Sequence, residues 1–291
     1  MNLLLHSAQL SNRRLTLLRV LVTSEKDIAS QTIKTVLIEE YGFLPTGDTF
    51  EDNPIRASDD SVILITTKRD MIYCDHLEEH FDAEVFIFCS RHRAESAKPA
   101  LLVHSTGNLG VDAAFGGNPQ EVSISAPALV AVALHRLHKE RDERSLDDFD
   151  VSLEVTHHGP TSMDTPLVFI ELGSNEEYWI HKDGARAVAG AIMDCVRAPL
   201  GGDSVIGFGG THYASKFNKL VLEKDYNMGH MAPKYAVNDL TLDVVKQMIS
   251  RTTGNVTRAI VDWKGLNAEN KTHIFPILEE AGLEIVRSKQ A

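Results

Sequence analysis

Leu18-Arg19-Val20-Leu21-Val22-Thr23-Ser24-Glu25-Lys26-Asp27 decides the fold class. Residues 18–22 form a short, β-branched apolar run of the kind that is buried in a sheet, and Asp27, after a polar turn, has the side chain of a helix N-cap. The helix it opens is expected to end near Tyr41 and Gly42. Working outward, the same alternation of strand and amphipathic helix recurs. Strands are expected at 62–65, 85–88, 101–103, 151–157, 167–172, 205–208, 259–263 and 283–286, and helices at 126–144, 185–196, 213–223 and 274–281. This is an α/β protein: a layered, mixed or mostly parallel sheet with helices on both faces.

Composition narrows the function classes. Basic residues number 29 against 41 acidic ones, a net charge of −12 that repels polyanions at long range, so any RNA contact must be local. No apolar run is long enough to cross a bilayer. Cys74, Cys89 and Cys195 form no C-x-x-C pair, which argues against a disulfide framework or a thiolate zinc knuckle and fits a reducing cytoplasm. Residues 1–16 carry Arg13 and Arg14 beside an apolar stretch of three leucines and are expected to be an extension outside the domain. The charged connector near residues 145–150 is the one place to divide two lobes, but sheet-forming segments flank it on both sides, which favours one cooperative unit over 17–288.

Thirteen histidines are many for this length, and six of them, His92, His104, His157, His158, His212 and His230, fall at or just after strand-like runs. In open α/β sheets ligands collect at the carboxyl ends of strands, so that edge is the expected site. Glu154-Val155-Thr156-His157-His158-Gly159-Pro160-Thr161 puts two imidazoles at a strand end. Neighbouring strand residues point to opposite faces, so both serve one site only if the strand ends between them; otherwise one is structural. Glu171 sits inside an apolar run and, if buried, must be paired, metal-bound or protonated. The run from Gly209 through Gly210 and Thr211 to His212 reads as a Gly-rich turn capped by Thr211, whose amides suit a phosphate or an oxyanion and whose dipole keeps His212 neutral. Lys234 follows His230 in a second polar turn.

Arg91, Arg93 and Lys98 make the 90–99 segment the most credible place to hold an RNA backbone in so acidic a chain. His104 to Asn108 adds a third polar turn. His76-Leu77-Glu78-Glu79-His80 has the H-x-x-E-H spacing of inverted zinc peptidases, but its short polar setting makes a surface helix the better reading.

Ser90-Arg91-His92, His104 to Asn108, Thr156 to Thr161, Phe169 to Ser174, Gly209 to Ala214, and Gly229-His230 with Lys234 to Ala236 together resemble the archaeal and plant type of D-aminoacyl-tRNA deacylase, across about residues 18 to 288. The resemblance implies a zinc-dependent hydrolase that cleaves the ester joining a D-amino acid to the terminal ribose of tRNA. It also implies a fold akin to peptidyl-tRNA hydrolases and phosphorylase-like enzymes, and a monomer. On this reading His157, His158, Glu171 and His212 are the expected catalytic residues. The metal ligands are drawn from those four with His230. Arg91, His92, His104, Asn108, Thr161, Gly209, Gly210, Thr211 and Lys234 are expected to hold the acceptor end. A zinc amidase or peptidase using the same histidines is the rival enzyme, and a non-catalytic RNA-binding module the rival from another class.

Overall fold

The computed structural model describes residues 18–59 and 61–291; the extension read at residues 1–16 lies outside them. The first unit forms as its sequence dictates. Strand β1 (Arg19–Ser24) leads to helix α1 (Ile28–Tyr41), whose N-cap Asp27 accepts a hydrogen bond from the Ser30 amide and whose C-cap Gly42 is left-handed at φ 73°. Ala29, Ile33, Val36 and Leu37 are its buried stripe.

A hairpin follows, β2 (Leu44–Phe50) and β3 (Asn53–Asp59), and then β4 (Val62–Thr67), β5 (Val85–Arg91) and β6 (Ala100–His104). A small ribbon of β7 (Gly107–Asn108) and β8 (Glu121–Val122) precedes α2 (Pro127–Glu143). Strands β9 (Asp150–Leu153) and β10 (Leu167–Gly173) lead through α3 (Glu176–Trp179) to α4 (Lys182–Arg197). The last third contains β11 (Asp203–Phe208), α5 (Ser215–Lys224), β12 (Met228–Ala232), α6 (Leu242–Ser250), β13 (Asn255–Val261), α7 (Ala268–Glu280) and β14 (Glu284–Arg287).

Two sheets result. The larger has the order β2-β3-β4-β1-β5-β10-β6-β9, and the smaller, wholly parallel one has the order β12-β11-β13-β14. Strands on either side of the connector near residue 145 share the larger sheet, so the change of sheet falls after α4 instead. Side-chain alternation gives the larger sheet two packed faces. Leu21, Ile87 and Ile170 face α1, α2 and α4, while Val22, Phe88 and Phe169 face a second core that includes Met71, Cys74 and Leu77. Each fully buried side chain of this size contributes about 1.5–3 kcal/mol. The smaller sheet has α6 and α7 on one face and α5 on the other.

The hairpin β2–β3 has no counterpart in the sequence reading. All but the last residue of β2 is exposed, so no alternation of apolar and polar positions marks it.

Candidate active site

The site is built on a face of the larger sheet, beside the turn that leaves β11 of the smaller sheet. β10 runs parallel to β5 but antiparallel to β6, with Phe169 opposite His104, so Glu171 and His104 are diagonal neighbours on one face. Strand ends therefore do not share one edge, and the expected edge site becomes a face site. Glu171 Oε1 lies 3.5 Å from His104 Nε2, and Glu171 Oε2 lies 3.5 Å from His92 Nδ1. His92 lies over Gly173 so closely that a Cβ there would stand 2.7 Å from that of the histidine.

The second half of the site comes from the residues after β9. His158 has φ +47°, a left-handed backbone that swings its ring to the side His157 already occupies. The strand thus ends before the pair, and both rings serve one site, with centroids 4.5 Å apart. His157 Nδ1 donates to the Val155 carbonyl at 2.7 Å and His158 Nδ1 to the Gly159 carbonyl at 2.6 Å, so both Nε2 lone pairs are presented to the cluster. The His104 ring lies 4.3 Å from that of His157 and 4.9 Å from that of His158, and the His212 ring lies 4.8 Å from that of His157.

Glu154 stands at the centre, fully buried, with Oε1 2.8 Å from His212 Nε2 and 3.4 Å from His92 Nδ1. Two tyrosine hydroxyls close the outer side: Tyr213 on His92 Nε2 at 3.0 Å and Tyr235 on His212 Nδ1 at 3.1 Å.

Two buried carboxylates in one place require positive charge. Burial opposes ionisation of Glu171, but the imidazoles of His104 and His92 beside it outweigh that and hold it at about 2. Glu154 is likewise opposed by burial, yet His212 and His92 keep it well below the usual carboxylate range. Burial works against charge on His92 as well, and the two glutamates overcome it, raising the imidazole to about 11. By contrast, burial and the neighbouring imidazoles depress His157 well below its ordinary value and His158 to about 4, so these two stay neutral.

Such a donor set fits a metal ion. His104, His157 and His158 form one compact triad, Glu154, His157 and His212 a second, and His92, Glu154 and Glu171 a third. His104 Nε2 and Glu154 Oε2 are buried and have no hydrogen-bond partner among the described residues, as befits atoms shaped to hold a cation. Nitrogen and oxygen ligands without thiolate suit zinc.

All seven of these residues lie within the segment 79–286, which matches the family model described as D-aminoacyl-tRNA deacylase. The chain belongs to the D-aminoacyl-tRNA deacylase family. Among its relatives is a protein of that name from Pyrococcus furiosus, 34% identical over 93% of this chain and 100% of its own length. Another, from Thermococcus kodakarensis, is 36% identical with the same coverage. A crystal structure described as a conserved protein of unknown function, AF0625, matches with a TM-score of 0.85 and 31% identity, covering 94% of this chain and 95% of that one.

Within this deacylase-family fold several sequence expectations move. His230, read as a metal ligand in a turn, is instead in mid-strand β12 and fully buried away from the cluster. Its Nε2 donates to the Ser123 and Arg251 carbonyls and its Nδ1 meets the Thr156 hydroxyl, so both nitrogens are taken. The Gly209 amide donates to the Ala232 carbonyl at 2.8 Å and is not open to an oxyanion, although Gly209 and Gly210 have the positive φ expected of the turn. Thr211 caps nothing, because α5 starts at Ser215; its hydroxyl donates to the Tyr213 carbonyl. His212 consequently lies before the helix and is held by Glu154 and Tyr235, not by a helix dipole.

His92 and His104, expected to hold substrate, join the metal-capable groups. Arg91 is tied to the protein, donating to the Lys26 carbonyl and Asp70 and lying over the Trp179 ring. Asn108 and Thr161 hold the 116–121 loop through Gly116, Asn118 and Glu121. Lys234 is exposed. His76 bonds Glu51 at 3.0 Å and packs with His80 on Phe50, apart from the cluster.

Glu154 escaped the sequence reading because alternation placed it with Ser152 and Thr156 on a presumed solvent face. In the fold that face is covered by the 212–213 turn, with which Glu154 forms an isolated bridge to Tyr213. The one available signal was an acid three positions before a histidine pair.

Proposed function

We propose that this chain hydrolyses the ester of D-aminoacyl-tRNA, releasing the D-amino acid and tRNA, with zinc held among His104, Glu154, His157, His158 and His212. The observation that supports it is the convergence of two buried carboxylates and five imidazoles in a member of this family. Zinc in such a set supplies a Lewis acid that polarises an ester carbonyl and acidifies water near neutral pH.

The chain's own groups do the rest. His157, His158 and His212 are only half-buried, so this is the side from which an ester can enter. Glu171, ionised and 3.5 Å from a nitrogen of each of His92 and His104, is the acceptor for the proton of the attacking water. Protonated His92, between both glutamates, is the donor that returns a proton to the departing ribose oxygen. Fixed orientation of the Nε2 atoms of His157 and His158 by backbone carbonyls keeps the site ready without reorganisation. Chiral choice follows from the difference in transition-state binding of the D and L esters in this confined space. A substrate of translation supports reading the protein as cytoplasmic.

Paired D-Tyr-tRNA and L-Tyr-tRNA, incubated with and without chelator, test the proposal. Release of D-Tyr that chelation abolishes and added zinc restores is the expected result. Equal release of D and L, or indifference to chelation, would overturn the chiral or the metal part respectively.

A further inference from the structure

We propose that the ring of Tyr235 is the platform on which the terminal adenine of the tRNA acceptor end stacks, an assignment that rests on the deacylase reading above. The scissile ester is carried by the terminal ribose, so the terminal base must lie within one nucleoside of the reacting carbonyl. Tyr235 occupies that zone. Its hydroxyl is 3.1 Å from His212 Nδ1, while the residue as a whole is 65% exposed, so the ring starts at the cluster and runs outward.

Tyr213 is the natural competitor and is committed elsewhere. Its ring meets His92 and His212 edge-on, at centroid distances of 6.0 and 5.5 Å, and packs as part of the site wall. Tyr235 makes no such ring contact among the described residues. Its segment is nevertheless held in place: the Lys234 amide donates to the Gly210 carbonyl at 3.0 Å and the Ala236 amide to the Pro233 carbonyl at 3.0 Å. A pinned backbone with an uncovered aromatic face is a ready-made stacking surface.

Charge favours the same occupant. With a net charge of −12, and with Arg91 tied to Lys26 and Asp70, the chain has few cations, exposed Lys234 among them, to offer a phosphate backbone near the cluster. Single-stranded RNA ends are commonly held by stacking of splayed bases on aromatic side chains, which needs no cation and tolerates any base. Every tRNA acceptor end finishes in the same unpaired adenosine, and one stacking ring serves them all.

The test is steady-state deacylation of D-Tyr-tRNA by the wild type, Tyr235→Phe and Tyr235→Ala, with thermal melts confirming that each is folded. A parallel substrate carries an abasic ribose at its terminus. Tyr235→Ala is expected to raise KM roughly tenfold, whereas Tyr235→Phe keeps KM within about twofold and shows its loss of the His212 contact in kcat. The abasic substrate should carry a similar KM penalty with the wild type and almost none with Tyr235→Ala, because the interacting partner is already gone. Equal KM values for Phe and Ala, or a full abasic penalty in the Ala variant, would show that Tyr235 acts only through its hydroxyl on His212. If the wild type itself releases no D-Tyr, the deacylase reading fails first and takes this assignment with it.

Discussion

Glu154 Oε1 stands 2.8 Å from His212 Nε2, and this contact joins the strand end of the larger sheet to the turn that leaves β11 of the smaller one. The same oxygen faces His92, so one carboxylate ties three segments of the chain together. Replacing it with the isosteric amide removes the charge but keeps the volume. Glu154→Gln is expected to lower kcat/KM for D-Tyr-tRNA by about 10²-fold or more. Single-turnover deacylation within a few-fold of wild type would remove Glu154 from the centre of the site.

Metal content separates the histidines that converge from the one that does not. His157→Ala and His104→Ala should bind less zinc by elemental analysis of purified protein. His230→Ala should bind as much as wild type and lose stability instead, by about 1–3 kcal/mol, since the Ser123 and Arg251 carbonyls lose their buried donor. Zinc loss in His230→Ala, at a temperature where it is folded, would return that residue to the ligand set.

Asp27 makes stability depend on pH. Burial, against the hydrogen bonds from the Ser30 and Arg91 amides, raises its carboxyl from 3.8 to about 6. Between these values the folded state holds more protons than the unfolded state, so this group's contribution falls as pH rises from about 4 to about 6, by up to about 3 kcal/mol. The difference in denaturation free energy between wild type and Asp27→Asn should show that slope. A difference independent of pH would mean the group titrates normally.

Affinity for tRNA should depend weakly on salt. Arg93, Lys98 and Lys234 are exposed, while Arg91 is engaged within the protein. Three neutralised phosphates give a log–log slope of about −2 on a single-stranded end. Binding measured across a salt series with a slope several times steeper would point to an RNA-binding face that these residues do not describe.

Much of the architecture was readable from local pattern. The Asp27 cap, the Gly42 stop and the strands at 85–88 and 167–172 follow from periodicity and turn chemistry, because those features act over a few residues. Glu171 could be singled out the same way, since a carboxylate in an apolar strand must find partners whatever the fold. The strand β2 was silent because all but its last residue are exposed, and His230 misled because the strand holding it is short and contains a glycine.

Chain order alone specified an α/β layer rich in strand-end imidazoles. It could not say that β6 runs against β10, that the turn after β11 covers Glu154, or that His212 arrives there from 58 residues away. Those facts depend on how strands pair and how sheets pack, which are contacts between distant segments, and no local periodicity carries them.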